Sequence, residues 1–236
     1  MSTLISLNKF VAQCNIGSRR KAAQFIKDGL ITVNGIVIKE PGHKIAPEAT
    51  VCYKGHPITL ATYQYLLLNK PKDYITTLAD ERGRKTVAQL IQHAATVRLY
   101  PVGRLDRNTT GLLLFTNDGA LTQKLMHPKF GVKKVYQVKL DTPLSRKDFE
   151  RIQHGVTLDD GPLLVDAISY VPHQKNEVVV ELHSGRYRIV RRLFAFCGYA
   201  VTKLDRINYA GLTKKGLRIG QWRFLTPEEI EKLKNL

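Results

Sequence analysis

The chain is short of acid. Twenty Asp and Glu stand against 37 Lys and Arg, a formal charge of +17 over 236 residues. Such a field attracts polyanions and opposes other basic surfaces, so nucleic acid is the leading partner and an anionic membrane the second. Cysteine is also scarce. Cys14, Cys52 and Cys197 are far apart, odd in number and without the paired spacing of a zinc site, which excludes a disulfide framework and fits reduced thiols in a cytoplasmic protein. The seven histidines lack H-x-x-x-H and H-x-H spacing, so no metal is expected.

Nowhere do about 18 apolar residues run together, and "MSTLISLNKFVAQCN" has neither a continuous apolar core nor a small-residue cleavage site. Membrane spanning and export are therefore not expected. No G-x-G-x-x-G follows a strand pattern, which counts against a Rossmann site for a dinucleotide or S-adenosylmethionine. "GLTKKGL" has the glycine spacing of a phosphate loop but carries Leu217 where lysine is needed, followed by Arg218. A nucleophile elbow, G-x-S-x-G, is missing too. What is present is 43% apolar residue content, enough to bury a core in one large or two modest domains, and the chain is expected to act as a monomer.

At the front, Leu7, Phe10, Val11 and Cys14 fall at i, i+3, i+4 and i+7, one face of a short helix. Ser18 is placed to cap a second helix with Ala22, Phe25 and Ile26 inward and Gly29 as its stop. "ITVNGIVI" then reads as a hairpin turning at Asn34-Gly35. Arg19, Arg20 and Lys21 occupy the first turn of the second helix, where the helix dipole disfavours cations by about 0.3–1 kcal/mol each. A phosphate at that helix start reverses the sign, although a solvated basic face would carry the same residues.

"YKGHPITLATY" reads as a turn-rich linker, and "YQYLLLNKP" opens a new strand that ends at Pro71. Further strand-like runs are Leu112 to Thr116, Val135 to Leu140, Glu177 to Leu182 and Ala200 to Lys203. Helical patterns lie near Thr86 to His93, Ala120 to Leu125, Ser145 to Gln153 and Arg188 to Cys197, and Thr226-Pro227-Glu228-Glu229 is a capping box opening a last helix.

Two stretches remain unusual. In "GRLDRNTTGLLLFTNDG", Asp106 sits between Arg104 and Arg107 in a loop against a buried strand, a placement that holds an acid rigidly at a cleft. In "ELHSGRYRIVRRLFAFCG", Val190, Leu193, Phe194 and Cys197 form a core stripe with Arg188, Arg191 and Arg192 roughly opposite. Residues 183 to 218 hold nine Lys or Arg and one acid, Asp205, a stripe suited to a phosphate backbone or to plain solvent.

These residues carry a resemblance. "LNKFVAQCNIGSRRKAAQFIKDGLITVNGIVI" resembles the alpha-L RNA-binding module found in a small-subunit ribosomal protein and in many RNA-modifying enzymes. "GRLDRNTTGLLLFTNDG" resembles the signature around the catalytic aspartate of pseudouridine synthases, in the branch that joins such a module to a catalytic domain and modifies single ribosomal RNA sites. "LLLNKP", "KKVYQVKL" and "GRYRIVRRLF" are similar to that family's other motifs, in order.

The resemblance implies an α+β architecture: an alpha-L module at residues 1–60, then a pseudouridine synthase catalytic domain at residues 61–236 with a mixed, mainly antiparallel sheet flanked by helices. It implies isomerisation of a uridine to pseudouridine in ribosomal RNA, with the large subunit's RNA nearest in pattern, on free RNA or a pre-ribosomal particle, and without a cofactor. By motif match Asp106 is the nucleophile, Arg191 the basic residue that pairs with it, and Tyr136 the tyrosine against the target base. Leu182 matches the apolar residue on the other face of that base. Arg104, Arg107, Arg188 and Arg192, with Arg19, Arg20 and Lys21 of the module, are the expected RNA contacts. Structural readings stand beside these: a loop-capping acid for Asp106, a surface arginine for Arg191, core packing for Tyr136 and Leu182.

Departures from the family pattern are Asp73, where glycine is frequent, Ile189 and Leu193 in place of Gln and Met, and Tyr187, found in part of the family. The alternative is a non-catalytic ribosome-assembly protein using the same basic surfaces. Retention of Asp106, Arg191 and Tyr136 counts against it, because a pure binder has no need of that set.

Overall fold

The computed structural model describes residues 4–236, so the first three residues of the stretch read above for a leader lie outside the described residues. Two compact units make up the chain, one taking in residues up to Gln64 together with Ala95–Arg98, the other Tyr65–Ala94 and Leu99–Leu236.

In the first unit, helix α1 (Leu7–Gln13) buries Leu7, Phe10 and Val11 against α2 (Arg19–Lys27), whose Ala22 and Ile26 face it. Ser18 caps α2 by accepting the Lys21 N–H at 3.2 Å. Strands Ile31–Val33 and Ile36–Val37 turn through Asn34 and Gly35 at φ 50° and 82°, the left-handed pair such a turn needs. The stretch read as the start of a linker is instead a second hairpin, Val51–Tyr53 with His56–Pro57, turning at Lys54 (φ 50°) and Gly55 (φ 81°). Lysine is a poor signal for a left-handed turn residue, which hid the hairpin. Residues 95–98 join this unit through Asn15, which accepts the Arg98 N–H at 2.7 Å and donates to the Thr96 carbonyl at 3.4 Å.

The second unit is built on a nine-stranded mixed sheet. Its main strands are β1 (Tyr65–Lys70), β2 (Thr110–Thr116), β3 (Lys134–Leu140), β4 (Ala167–Val171), β5 (Gln174–Leu182), β6 (Val201–Tyr209) and β7 (Trp222–Phe224), in the spatial order β4-β5-β3-β6-β2-β1-β7. Short strands Tyr100–Pro101 and Leu212–Thr213 add to β2 and β6. All pairings are antiparallel except β6 with β2, which run parallel where Asp205 and Arg206 meet Thr110 and Gly111. That one joint brings the start of β2 to the middle of the sheet.

Helices α3 (Gly119–Met126) and α6 (Pro227–Lys234) pack Leu121, Leu125 and Leu233 with Leu67, Leu112 and Leu114 of β1 and β2. Helices α4 (Arg146–His154) and α5 (Ile189–Phe196) pack Ile152, Val190, Leu193 and Phe194 with Val138, Val180, Leu182 and Leu204. The helix expected near Thr86 to His93 is one turn, Val87–Leu90, because Ile91 leaves helical geometry at φ −119°. The strand expected at 200 to 203 runs on to Tyr209. Asp205 and Arg206 break its apolar pattern, yet Arg206 is buried, with Nε donating to the Leu112 carbonyl at 2.8 Å and its guanidinium over the Tyr209 ring.

Candidate active site

Asp106 lies half-buried in the loop that feeds β2, next to the parallel joint at the sheet's middle. The loop is tied on both sides. Thr76 Oγ1 donates to the Leu105 carbonyl at 2.7 Å and accepts the Leu105 N–H at 3.1 Å, and the Thr109 N–H closes a turn on the Asp106 carbonyl at 3.1 Å. Just beyond, Gly111 has φ +105° and its Cα faces the Arg206 main chain so closely that a Cβ would stand 2.3 Å from the Arg206 carbonyl oxygen. Only glycine allows β2 and β6 to approach in this way.

Lys70, at the end of β1, is fully buried and holds the same loop from beneath. Its ammonium donates to the carbonyls of Thr109 (2.8 Å), Pro71 (3.0 Å), Asp106 (3.2 Å) and Arg107 (3.3 Å). Burial pushes this ammonium down to about 8, against the pull of Asp106 and Asp73. The motif "LLLNKP" contained Lys70, but no sequence signal separated a lysine solvated by main-chain carbonyls from an exposed one. Asp73, the departure from glycine, adopts φ 69° and so keeps the left-handed turn, while its carboxylate pairs with Arg107 Nε at 3.4 Å.

Arg191, on α5, lies within electrostatic reach of Asp106, but the two make no ion pair within 4.0 Å. Its Nη1 donates instead to the Val201 carbonyl at 2.8 Å. Burial, then Arg188, pushes the guanidinium down, and Asp106 pulls it up. The pairing expected between these residues is thus a through-space attraction in this state. Tyr136 is half-buried on β3, beside Val180 of β5 and Arg206 of β6, and packs on the core that contains the α5 residues. Leu182 is wholly buried in that core. Lys134, two residues before Tyr136, donates to the carbonyls of Val132 (2.8 Å) and His183 (2.9 Å); burial first, then Arg206, lowers its ammonium to about 8.

Among the described residues the half-buried Asp106 carboxylate has no side-chain partner, Arg191 is in electrostatic range, and Tyr136 stands on β3, which β6 separates from β2; the set can be compared with known proteins. The family model for RNA pseudouridylate synthases matches residues 64–196, and that for S4 domains matches residues 6–51. The chain belongs to the RNA pseudouridylate synthase family. It is 37% identical to the ribosomal large subunit pseudouridine synthase B of Bacillus subtilis over 98% of this chain and 96% of that one. An uncharacterised RNA pseudouridine synthase of Mycobacterium tuberculosis is 40% identical over 97% of this chain and 92% of its own. A crystal structure of a pseudouridylate synthase superposes with a TM-score of 0.69 at 28% identity, covering 97% of this chain and 99% of that one.

Around Asp106 the predicted RNA contacts divide. Arg104 and Arg107 are exposed on either side of Asp106, Arg107 held by Asp73. Arg188 is exposed at the start of α5 in a left-handed conformation, φ 47° and ψ 34°. Arg192 is different: its guanidinium is bound to Asp159 and to Asp160 (2.7 Å), acids from the tip of the hairpin Val156–Leu158 and Gly161–Leu163. It is not the free cationic face that helix periodicity implied, because its partners stand more than thirty residues away in the chain. In the S4 domain, Arg19, Arg20 and Lys21 are exposed on the first turn of α2, with no acidic partner within 4.0 Å among the described residues. No helix among the described residues is long and apolar enough to cross a membrane.

Proposed function

We propose that the chain isomerises a specific uridine of large-subunit ribosomal RNA, acting as a cytoplasmic monomer on RNA or an assembling particle, with Asp106 as nucleophile. The observation that carries this reading is Asp106 itself: its carbonyl held by Lys70 and the main chain of its neighbour Leu105 by Thr76, its carboxylate without a side-chain partner among the described residues, Arg191 in electrostatic range. The name of the B. subtilis relative supports the large-subunit substrate.

The target nucleotide leaves its stack to enter the site. The Asp106 carboxylate attacks the nucleotide, the N1–C1′ bond breaks, the uracil turns, and C5 bonds to C1′ as the bond to Asp106 is broken and the carboxylate is released. C5 loses a proton and N1 gains one, so composition is unchanged and neither redox cofactor nor donated group is called for. Tyr136 lies against the base and takes the C5 proton; Leu182 backs the pocket wall. Arg191 offsets the carboxylate's charge through space. Arg104, Arg107 and Arg188 meet phosphates near the target, and Arg19, Arg20 and Lys21 bind structured RNA.

Purified protein incubated separately with unmodified large- and small-subunit ribosomal transcripts tests the substrate. One pseudouridine in the large-subunit transcript is expected. Modification of the small-subunit transcript alone contradicts the assignment.

A further inference from the structure

Tyr187 is 77% exposed, an aromatic ring presented to solvent between two arginines. Its neighbours are fixed with unusual thoroughness. Arg186 Nη1 donates to the Asp160 carboxylate (2.8 Å) and to the Asp160 and Gly161 carbonyls (3.0 and 3.2 Å), and its Nη2 donates to the Pro162 carbonyl (3.0 Å). Arg192, clamped on Asp159 and Asp160, reaches back with Nη1 to the Tyr187 carbonyl at 3.3 Å. Arg188 follows in left-handed geometry, which a side chain other than glycine adopts only where its surroundings impose it. The hairpin that supplies both acids is rooted in the core through Val156, Leu158 and Leu163.

This is a preorganised loop, and its location gives it meaning. The loop that carries Tyr187 leaves β5 at Leu182 and is held at once by Lys134, whose ammonium donates to the His183 carbonyl at 2.9 Å. Lys134 is two residues from Tyr136, and the β6 partner of Tyr136, Arg206, meets Gly111 at the start of the strand that Asp106 feeds, with Arg191 in electrostatic range of both Arg188 and Asp106. An exposed ring held by its main chain loses little freedom on binding, and stacking on a base is the interaction an aromatic face offers RNA irrespective of sequence. Acids are ordinarily unwelcome at an RNA surface, but these two are neutralised by Arg186 and Arg192 and act on the loop's shape.

Taking RNA as substrate, as proposed above, we infer that Tyr187 forms a stacking subsite for an unpaired base next to the target uridine, and that Asp159 and Asp160 position it. The substrate class is thereby narrowed to RNA with an unstacked neighbour beside the reacting nucleotide.

The test measures Kd for an unmodified large-subunit ribosomal transcript, with kcat and KM for pseudouridine formation, in wild type and four variants of the full chain. Tyr187→Ala raises Kd and KM about tenfold with kcat within about threefold, whereas Tyr187→Phe and Tyr187→Trp stay within about threefold of wild type. The double variant Asp159→Asn/Asp160→Asn weakens binding about fivefold although it removes two negative charges from the surface. Circular dichroism melts confirm that each variant is folded. Unchanged Kd in Tyr187→Ala, or equal loss in Tyr187→Phe, overturns the stacking subsite; tighter binding by the double Asn variant overturns the positioning role. A wild type that binds the transcript but forms no pseudouridine in any ribosomal RNA contradicts the proposed reaction instead, and is read from the same preparations.

Discussion

The Lys70 ammonium and the Asp106 main chain are in direct contact. Nζ donates to the Asp106 carbonyl at 3.2 Å and to the Thr109 carbonyl at 2.8 Å, while the Asp106 carboxylate has no side-chain partner among the described residues. One residue's backbone is fixed so that its side chain can be left free, which is the preorganisation a nucleophile needs.

Lys70→Met keeps the apolar stem and removes the donor to four carbonyls. Stability falls by about 2–4 kcal/mol, read by chemical denaturation, and kcat falls at least about tenfold with little change in RNA affinity. An RNA affinity lost in parallel with kcat would mean that Lys70 serves binding and not the loop.

The same lysine sets a pH signature. Its folded value near 8 lies below the ordinary lysine value, so between the two the unfolded chain holds a proton that the folded chain does not. Stability of wild type relative to Lys70→Met therefore rises with pH from about 8 to 10 and is flat below. Denaturation of both proteins at matched pH cancels the other titrating groups, and a difference that shrinks over that range contradicts the assignment.

Gly111→Ala drives a Cβ to within 2.3 Å of a main-chain oxygen at φ +105°. A loss of about 3 kcal/mol or more is expected, because neither backbone strand can yield without parting β2 from β6. A thermal melt within a degree of wild type would show that the joint is looser than described.

Replacing Arg19 and Arg20 with Gln separates binding from folding. The slope of log K against log salt for ribosomal RNA becomes shallower by about 0.7–0.9 per arginine, while the protein melts at the same temperature or slightly higher, since cations at a helix start are unfavourable without a phosphate. A lowered melting temperature with an unchanged slope would assign both residues to the domain's own stability.

Much of this was legible in the chain, and the failures share a cause. The placement of Asp106 in a loop ahead of a buried strand could be read because the signature around it is local: a turn, a glycine and a strand within a dozen residues. The Asn34-Gly35 turn and the Ser18 cap are local too. Lys70 and Arg192 could not be read, because what defines them is a partner far along the chain, the Asp106 loop for one and the Asp159–Asp160 hairpin for the other. Periodicity placed Arg192 on an outward basic stripe for phosphate or solvent, where the structure pairs it with Asp159 and Asp160. Likewise the strand through Arg206 looked broken by charge until the Leu112 carbonyl and the Tyr209 ring accounted for that charge.

The central claim is that Asp106 performs the chemistry. Pseudouridine maps of ribosomal RNA from wild type, a deletion strain and a strain carrying Asp106→Asn test it directly. One large-subunit site is expected to vanish in the deletion and to stay absent in Asp106→Asn, with the variant protein folded and bound to RNA. A site lost in the deletion and restored by Asp106→Asn would contradict the account.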